Sequence, residues 1–217
     1  MQPRSPYVSR GGDKLAAALD HFAIDVAGLV CADFGSHVGG FVDCLLQRNA
    51  ARVHSIDTAY GILAWKLRRD PRVVVMDRSN AMHVRLPEQV DLITIDVGWT
   101  KQVRVLPAAA RALGVIGHPV SPRGARGEAQ GSLDRSPTKQ GRVVTLIKPH
   151  YEAPPNLLIE GRLPADRLGP VLQQVFDAFD SGGWEIVDTF ESPLIGHGGN
   201  REVFALLHPH DSTRPLQ

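Results

Sequence analysis

Asp33-Phe34-Gly35-Ser36-His37-Val38-Gly39-Gly40-Phe41 follows the apolar run Leu29-Val30-Cys31-Ala32 and opens onto apolar side chains at helical spacing through Gln47. Strand, glycine turn and helix, in that order, are how an α/β protein cradles a nucleotide-like ligand. Glycine lets the backbone approach the ligand, and the helix start offers free N–H groups and the positive end of its dipole. The spacing is Gly35-x-x-x-Gly39-Gly40. It is not the G-x-G-x-x-G that clamps a dinucleotide pyrophosphate.

Outward from this turn the alternation repeats. Residues 52–56, 73–76, 91–95 and 143–147 read as strands, followed by strands at 184–190 and 203–207. Helical patterns lie between them. The first runs through Leu15-Ala16-Ala17-Ala18-Leu19, with Gly12 or Asp13 as its expected N-cap. Others cover 62–67, stopped by Pro71, then 103–113 and 168–179. Strands alternating with helices predict an α/β fold, a mostly parallel sheet covered on both faces. Asp33, Asp57, Asp77, Asp96 and Lys148 each fall at the C-terminal end of a strand. That edge of an open α/β sheet is where ligands bind.

Composition narrows the class. A chain of 217 residues can bury one full core. Lys and Arg number 24 against 23 Asp and Glu, so the chain lacks the strong basic excess of a dedicated nucleic-acid module. Cys31 and Cys44 occupy apolar positions and read as small buried hydrophobes of a reduced protein. No run approaches the ~18 apolar residues of a membrane span, and no signal peptide is evident, so a soluble cytoplasmic protein is expected. Nothing is amphipathic enough to insert into a bilayer, which sets a pore-forming role aside. Nine histidines show no ligand spacing with Cys or acids, and no metal is expected. Residues 117–141 are rich in Gly, Pro, Ser and Arg and read as a flexible insertion, and 209–217 as a disordered tail.

With no pyrophosphate fingerprint, the turn favours an adenosyl ligand without phosphates, S-adenosylmethionine first among them. Asp57, closing the second strand, is placed to accept hydrogen bonds from ribose hydroxyls. Asp77, in Asp77-Arg78-Ser79-Asn80-Ala81, is placed to meet an adenine amino group. Lys148 ends an apolar central strand in Ile147-Lys148-Pro149-His150-Tyr151-Glu152, a place lysine rarely takes without a partner. Lys14 sits in Ser9-Arg10-Gly11-Gly12-Asp13-Lys14-Leu15, and Glu202 in Gly198-Gly199-Asn200-Arg201-Glu202. Each of these two, taken alone, reads as an exposed surface charge.

Taken in order, these segments resemble the FtsJ-like ribosomal RNA 2′-O-methyltransferases, and within them the haemolysin A branch. Leu63-Ala64-Trp65-Lys66-Leu67 and Asp70-Pro71-Arg72-Val73-Val74 add to the resemblance, which runs from about Tyr7 to Leu207. It implies a Rossmann-like fold of seven strands with the last one antiparallel. It implies a catalytic Lys14, Asp96, Lys148 and Glu202, and a methyl donor, S-adenosylmethionine, held by Asp33, Gly35, Ser36, Gly39, Gly40, Phe41, Asp57, Asp77, Asn80 and Asp96. The implied partner is RNA, ribosomal RNA or a ribosomal subunit. The family's N-terminal S4-type RNA-binding domain is expected to be absent, since Met1 lies just before the first motif. A separate RNA-binding partner would then take its place.

The implied chemistry suits these residue types. A ribose 2′-hydroxyl is a poor nucleophile and must lose its proton as it attacks. A lysine beside it takes the proton or stabilises the forming alkoxide. Burial and a second lysine favour the neutral amine, while carboxylates favour the ammonium. Ser36-His37-Val38 stands where the family has Ala-Ser-Thr, and Val97-Gly98-Trp99 where it has Leu-Ser-Phe. The alternative to RNA methylation is a divergent relative that binds the donor and methylates another substrate or none. A nicotinamide dehydrogenase is disfavoured by the glycine spacing.

Overall fold

Seven apolar runs pair edge to edge in the computed structural model, which describes residues 5–98, 100–115 and 141–210. They are β1 (Val30–Phe34), β2 (Arg52–Ile56), β3 (Val73–Met76), β4 (Leu92–Ile95), β5 (Arg142–Ile147), β6 (Trp184–Glu191) and β7 (Val203–Pro209). Their order across the single sheet is β3-β2-β1-β4-β5-β7-β6. The first five run parallel, and β7 runs antiparallel to both β5 and β6. This is the Rossmann-like methyltransferase sheet expected from the motif order.

Both faces are buried, so successive strand residues serve different layers. Leu92, Val144, Leu146 and Leu206 join one core with Leu15 and Leu19 of α1 (Arg10–His21) and Leu45 of α2 (Gly40–Gln47). Ile93, Val143, Ile147 and Leu207 join the other. Leu106 of α4 (Leu106–Ala112) and Phe179 of α6 (Ala165–Ser181) cover that second face. The short helices α3 (Trp65–Arg68) and α5 (Pro149–Glu152) lie beyond the ends of β2 and β5.

Three local expectations are corrected. The N-cap of α1 is Ser9, not Gly12 or Asp13: Ser9 is extended, and its hydroxyl accepts from the Gly11 N–H at 3.3 Å. The helix at 62–67 shrinks to α3, because Ala64 is extended and its N–H donates to Val38 O at 3.1 Å. Residues 62–64 thus tie α3 to the glycine turn instead of adding a helical turn. The pattern at 103–113 splits into a 3₁₀ turn, Gln102–Arg104, and α4. Pro107 lacks an N–H and fits only a first turn. The Gln102 side chain pins that 3₁₀ turn to β5 through Thr145 (2.9 Å) and Leu146 O (3.3 Å). At its C-terminal end β7 includes Pro209, and the His210 N–H donates to Gly183 O at 2.8 Å. The insertion expected over 117–141 lies, except for Gly141, outside the described residues, as do 211–217.

Candidate active site

Strand order reverses between β1 and β4, since β1 leads to β2 and β3 on one side while β4 leads to β5 on the other. A crevice opens at such a switch point, beyond the carboxyl ends of the strands. The glycine turn borders it. Gly35 and Ser36 both donate backbone N–H bonds to Ile56 O, at 2.9 and 3.1 Å, and Gly39 donates to Ser36 O at 2.8 Å. Gly35 has φ +93°, and a Cβ on it would lie 2.6 Å from the Asp96 carbonyl oxygen. Gly39 has φ +98° and backs onto Leu63 and Leu67. These two positions admit only glycine. His37, at φ 49°, donates its N–H to Asp57 Oδ2 at 2.7 Å, and Ala59 donates to Asp57 Oδ1 at 2.8 Å. The second strand end is thereby locked to the turn, with carboxylate lone pairs left over for a ligand.

Several of the expected donor-side groups also have partners within the protein. Ser36 is buried and donates its hydroxyl to Asp33 O at 2.9 Å, inside the turn. Phe41 belongs to the α1–α2 core, its ring centroid 6.1 Å from that of Phe204. Gly40 begins α2 where a Cβ would strike the Ser9 hydroxyl, so its smallness serves the approach of α1. Asp77 is ion-paired to Arg68 and accepts from the Gly61 N–H at 3.2 Å. Asn80 accepts from the Met82 N–H at 2.9 Å, the bond of a local turn. These side chains satisfy backbone and neighbours, a use that strand and turn position alone does not reveal.

Asp33 is 0 % exposed. Its Oδ1 accepts from Thr94 Oγ1 at 2.7 Å and its Oδ2 has no partner. Burial pushes this carboxyl up to about 7, with Asp96 and Asp57 adding to the effect. An unfolded Asp ionises near ~3.9, so between ~4 and ~7 the folded chain keeps a proton the unfolded chain releases. Stability from this group is therefore full at low pH and falls as pH rises toward 7. Asp33→Asn, which removes the titration, should exceed the wild type in urea stability by about 2–4 kcal/mol near pH 8 and match it near pH 4. A difference that stays constant with pH contradicts the assignment.

Two lysine–carboxylate pairs stand at the same edge. Lys14 Nζ lies 2.5 Å from Glu202 Oε2, and Lys148 Nζ lies 2.7 Å from Asp96 Oδ1. The second is an ion pair without hydrogen-bond alignment at Oδ1. Topology explains the meeting. The Asp96 N–H donates to Phe34 O, which sets Asp96 beside Gly35. Ile147 pairs with Val203, so Lys148 leaves β5 at the end where Glu202 leads into antiparallel β7. Lys14 reaches in from α1. Gly196 leaves room for the Glu202 carboxylate, which a Cβ there would strike. The four residues expected to form the set thus make two ion pairs, Lys14 with Glu202 and Lys148 with Asp96. Glu202→Ala would strand a largely buried ammonium, and a loss of about 3 kcal/mol in urea unfolding is expected, with Glu202→Gln losing less. A loss below ~1 kcal/mol would mean that Lys14 finds water without cost.

One group went unnoticed in the sequence. Tyr151 is 49 % exposed, and its ring lies tilted at 40° to that of His150 with centroids 4.1 Å apart. A Cβ on Gly98 would lie 3.3 Å from this ring and 3.4 Å from Lys148 Nζ. Gly98 therefore leaves the Lys148 amine and the Tyr151 ring side by side at the mouth. Burial, and then the Lys148 charge, hold the His150 imidazole below its usual range. The signal was the tyrosine's place three residues after Lys148, on a turn that brings it back.

A protein-family model described as FtsJ-like methyltransferase matches residues 7–208. The 16S/23S rRNA (cytidine-2′-O)-methyltransferase TlyA of Mycobacterium tuberculosis is 36% identical over 211 residues, which are 93% of this chain and 68% of that one. A solved structure from Streptococcus thermophilus that carries a hemolysin name superposes with TM-score 0.81 at 29% identity, over 98% of this chain and 70% of that one. An S-adenosylmethionine-dependent methyltransferase of Mesorhizobium loti shares the fold at 17% identity, with TM-score 0.59 over 91% and 99% of the two chains. The chain belongs to the FtsJ-like methyltransferases and is an S-adenosylmethionine-dependent enzyme.

Proposed function

We propose that the enzyme methylates a ribose 2′-hydroxyl of RNA, and that the RNA is ribosomal. The observation that carries this reading is the pairing of Lys148 with Asp96 and of Lys14 with Glu202 at the switch-point edge. The substrate class follows the name of the mycobacterial relative, a ribosomal RNA cytidine-2′-O-methyltransferase.

The crevice suits the donor. Gly35 and Gly39, at φ +93° and +98°, let the turn pack against the Asp96 carbonyl and against Leu63 and Leu67, and Asp33 Oδ2 is a buried polar atom without a hydrogen-bond partner. Asp57 would take the donor ribose, and Asp77 with Asn80 would border its adenine. Ser36, Gly40 and Phe41 would hold the turn's shape from behind. When bound, S-adenosylmethionine supplies a methyl group on a positively charged sulfur. Lys148, acting as the neutral amine, receives the proton that the 2′-hydroxyl loses as its oxygen gains the methyl group. Asp96 balances the ammonium this creates and keeps it at the acceptor. Lys14, held by Glu202, orients the target nucleotide through its sugar and phosphate oxygens. Positioning of the two reactants supplies much of the rate.

Among the described residues no helix is long and apolar enough to cross a membrane. A ribosomal substrate puts the enzyme in the cytoplasm. The test uses purified protein, tritium-labelled donor and unmethylated ribosomal subunits. Label recovered in a 2′-O-methyl nucleoside is expected. Label recovered on a base overturns the proposal.

A further inference from the structure

The two most exposed large apolar side chains among the described residues are Trp65, at 72 %, and Tyr60, at 68 %. Each is covered on one side by an arginine. The Arg78 guanidinium carbon lies 4.5 Å from the Tyr60 ring centroid, and that of Arg69 lies 5.7 Å from the Trp65 ring. Nearby cations are already neutralised, Arg68 by Asp77, Arg72 by Asp70 and Lys66 by Asp43. Among the described residues no carboxylate is paired with Arg69 or Arg78. Among the described residues of this patch, the cations without a carboxylate partner are thus the two layered on the rings.

The backbone is shaped to hold this arrangement. Arg78 adopts φ 54°, a conformation most side chains avoid, and its N–H donates to Ala59 O at 3.1 Å. That bond brings the end of β3 against the loop carrying Tyr60. The Ala64 N–H bond to Val38 O ties the same segment to the glycine turn. The patch therefore borders the crevice on its β2–β3 side, away from the Lys148 pair, which lies on the β4–β5 side.

We infer that this face binds a single-stranded stretch of RNA flanking the methylated nucleotide, with bases stacked on Tyr60 and Trp65 and phosphates on Arg69 and Arg78. Flat rings alternating with unneutralised guanidinium groups match the alternation of base and phosphate along a single strand. An acidic peptide would use the arginines and leave both rings in water. The inference rests on the RNA reading above for its choice of partner, and it assigns a surface that the lysine–carboxylate chemistry does not use. It also supplies local basic character to a chain whose total charge is only +1.

The test measures binding of a fluorescein-labelled, mixed-sequence RNA 20-mer by anisotropy, with donor binding followed separately by calorimetry. Tyr60→Ala with Trp65→Ala should weaken RNA binding by about 10–100-fold and leave donor affinity unchanged. Trp65→Phe should retain binding, and the part of the RNA-induced tryptophan quenching that comes from Trp65 should be lost in that variant. Arg69→Gln with Arg78→Gln should weaken binding and lower its salt dependence by about two phosphate contacts. Wild-type protein that binds no RNA defeats both this inference and the RNA reading. Wild-type binding that the variants match defeats the inference alone. A variant that loses donor affinity and keeps RNA affinity assigns the rings to the donor site and also overturns it.

Discussion

Lys148→Ala should slow methyl transfer by about 10³-fold while leaving donor affinity within about twofold of the wild type. The argument is geometric. Lys148 leaves the sheet at the carboxyl end of β5, with its Nζ 2.7 Å from Asp96 Oδ1 and beside Gly98. In the proposed arrangement Lys148 serves the acceptor, and the glycine turn with Asp57 forms the wall that holds the donor. Removal of Lys148 deprives the reacting hydroxyl of a proton acceptor and leaves the donor wall intact. Lys148→Arg separates base from charge, because a guanidinium keeps the positive charge and cannot accept a proton. The arginine variant should be as inactive as the alanine one in single-turnover assays at saturating donor. An arginine variant within about tenfold of wild type would assign Lys148 to electrostatic stabilisation instead.

Gly35→Ala should abolish measurable donor binding and cost about 2–5 kcal/mol of stability. Two effects add. The backbone at φ +93° strains any side chain, and the new Cβ would lie 2.6 Å from Asp96 O, a backbone atom that cannot swing aside. The Gly35 N–H is fixed to Ile56 O at 2.9 Å, so the turn cannot rotate to relieve the clash without breaking the link between β1 and β2. Relief has to come from moving the end of β4, which displaces Asp96 from Lys148. Gly28→Ala is the control. It has φ +74° and nothing within 4 Å of its Cβ position, so it carries the conformational strain without the clash. Gly28→Ala should lose only about 1 kcal/mol and bind the donor normally. Equal behaviour of the two variants, by calorimetry and urea unfolding, would contradict the account.

The edge itself was legible in the sequence. An apolar run needs both faces covered, and a polar residue closing it marks where the strand leaves the core, which located Asp33, Asp57, Asp77, Asp96 and Lys148 together. The direction of each side chain was not. Asp33 and Ser36 stand in the glycine motif but turn inward, to Thr94 and to backbone, because the turn satisfies its own polar groups before it meets a ligand. Phe41, expected beside the donor, packs in the core shared by α1 and α2, its ring centroid 6.1 Å from that of Phe204. Residues 62–67 have helical spacing, yet the first three are spent reaching Val38, a tertiary bond no local pattern encodes. The pairing of Lys14 with Glu202, 188 residues apart, follows from the antiparallel placement of β7. The Ser9 cap, by contrast, carried an ordinary signal in Ser9-Arg10-Gly11-Gly12-Asp13, a hydroxyl followed by an acid in the first turn.

The central claim is that this chain places a methyl group on a ribose of ribosomal RNA. Mass mapping of ribosomal RNA from cells with and without the gene tests it most directly. The account predicts one or more 2′-O-methyl nucleosides that vanish without the gene and return with the wild-type chain but not with Lys148→Ala. Identical ribose methylation in both cells, or a missing methyl group that lies on a base, would contradict it.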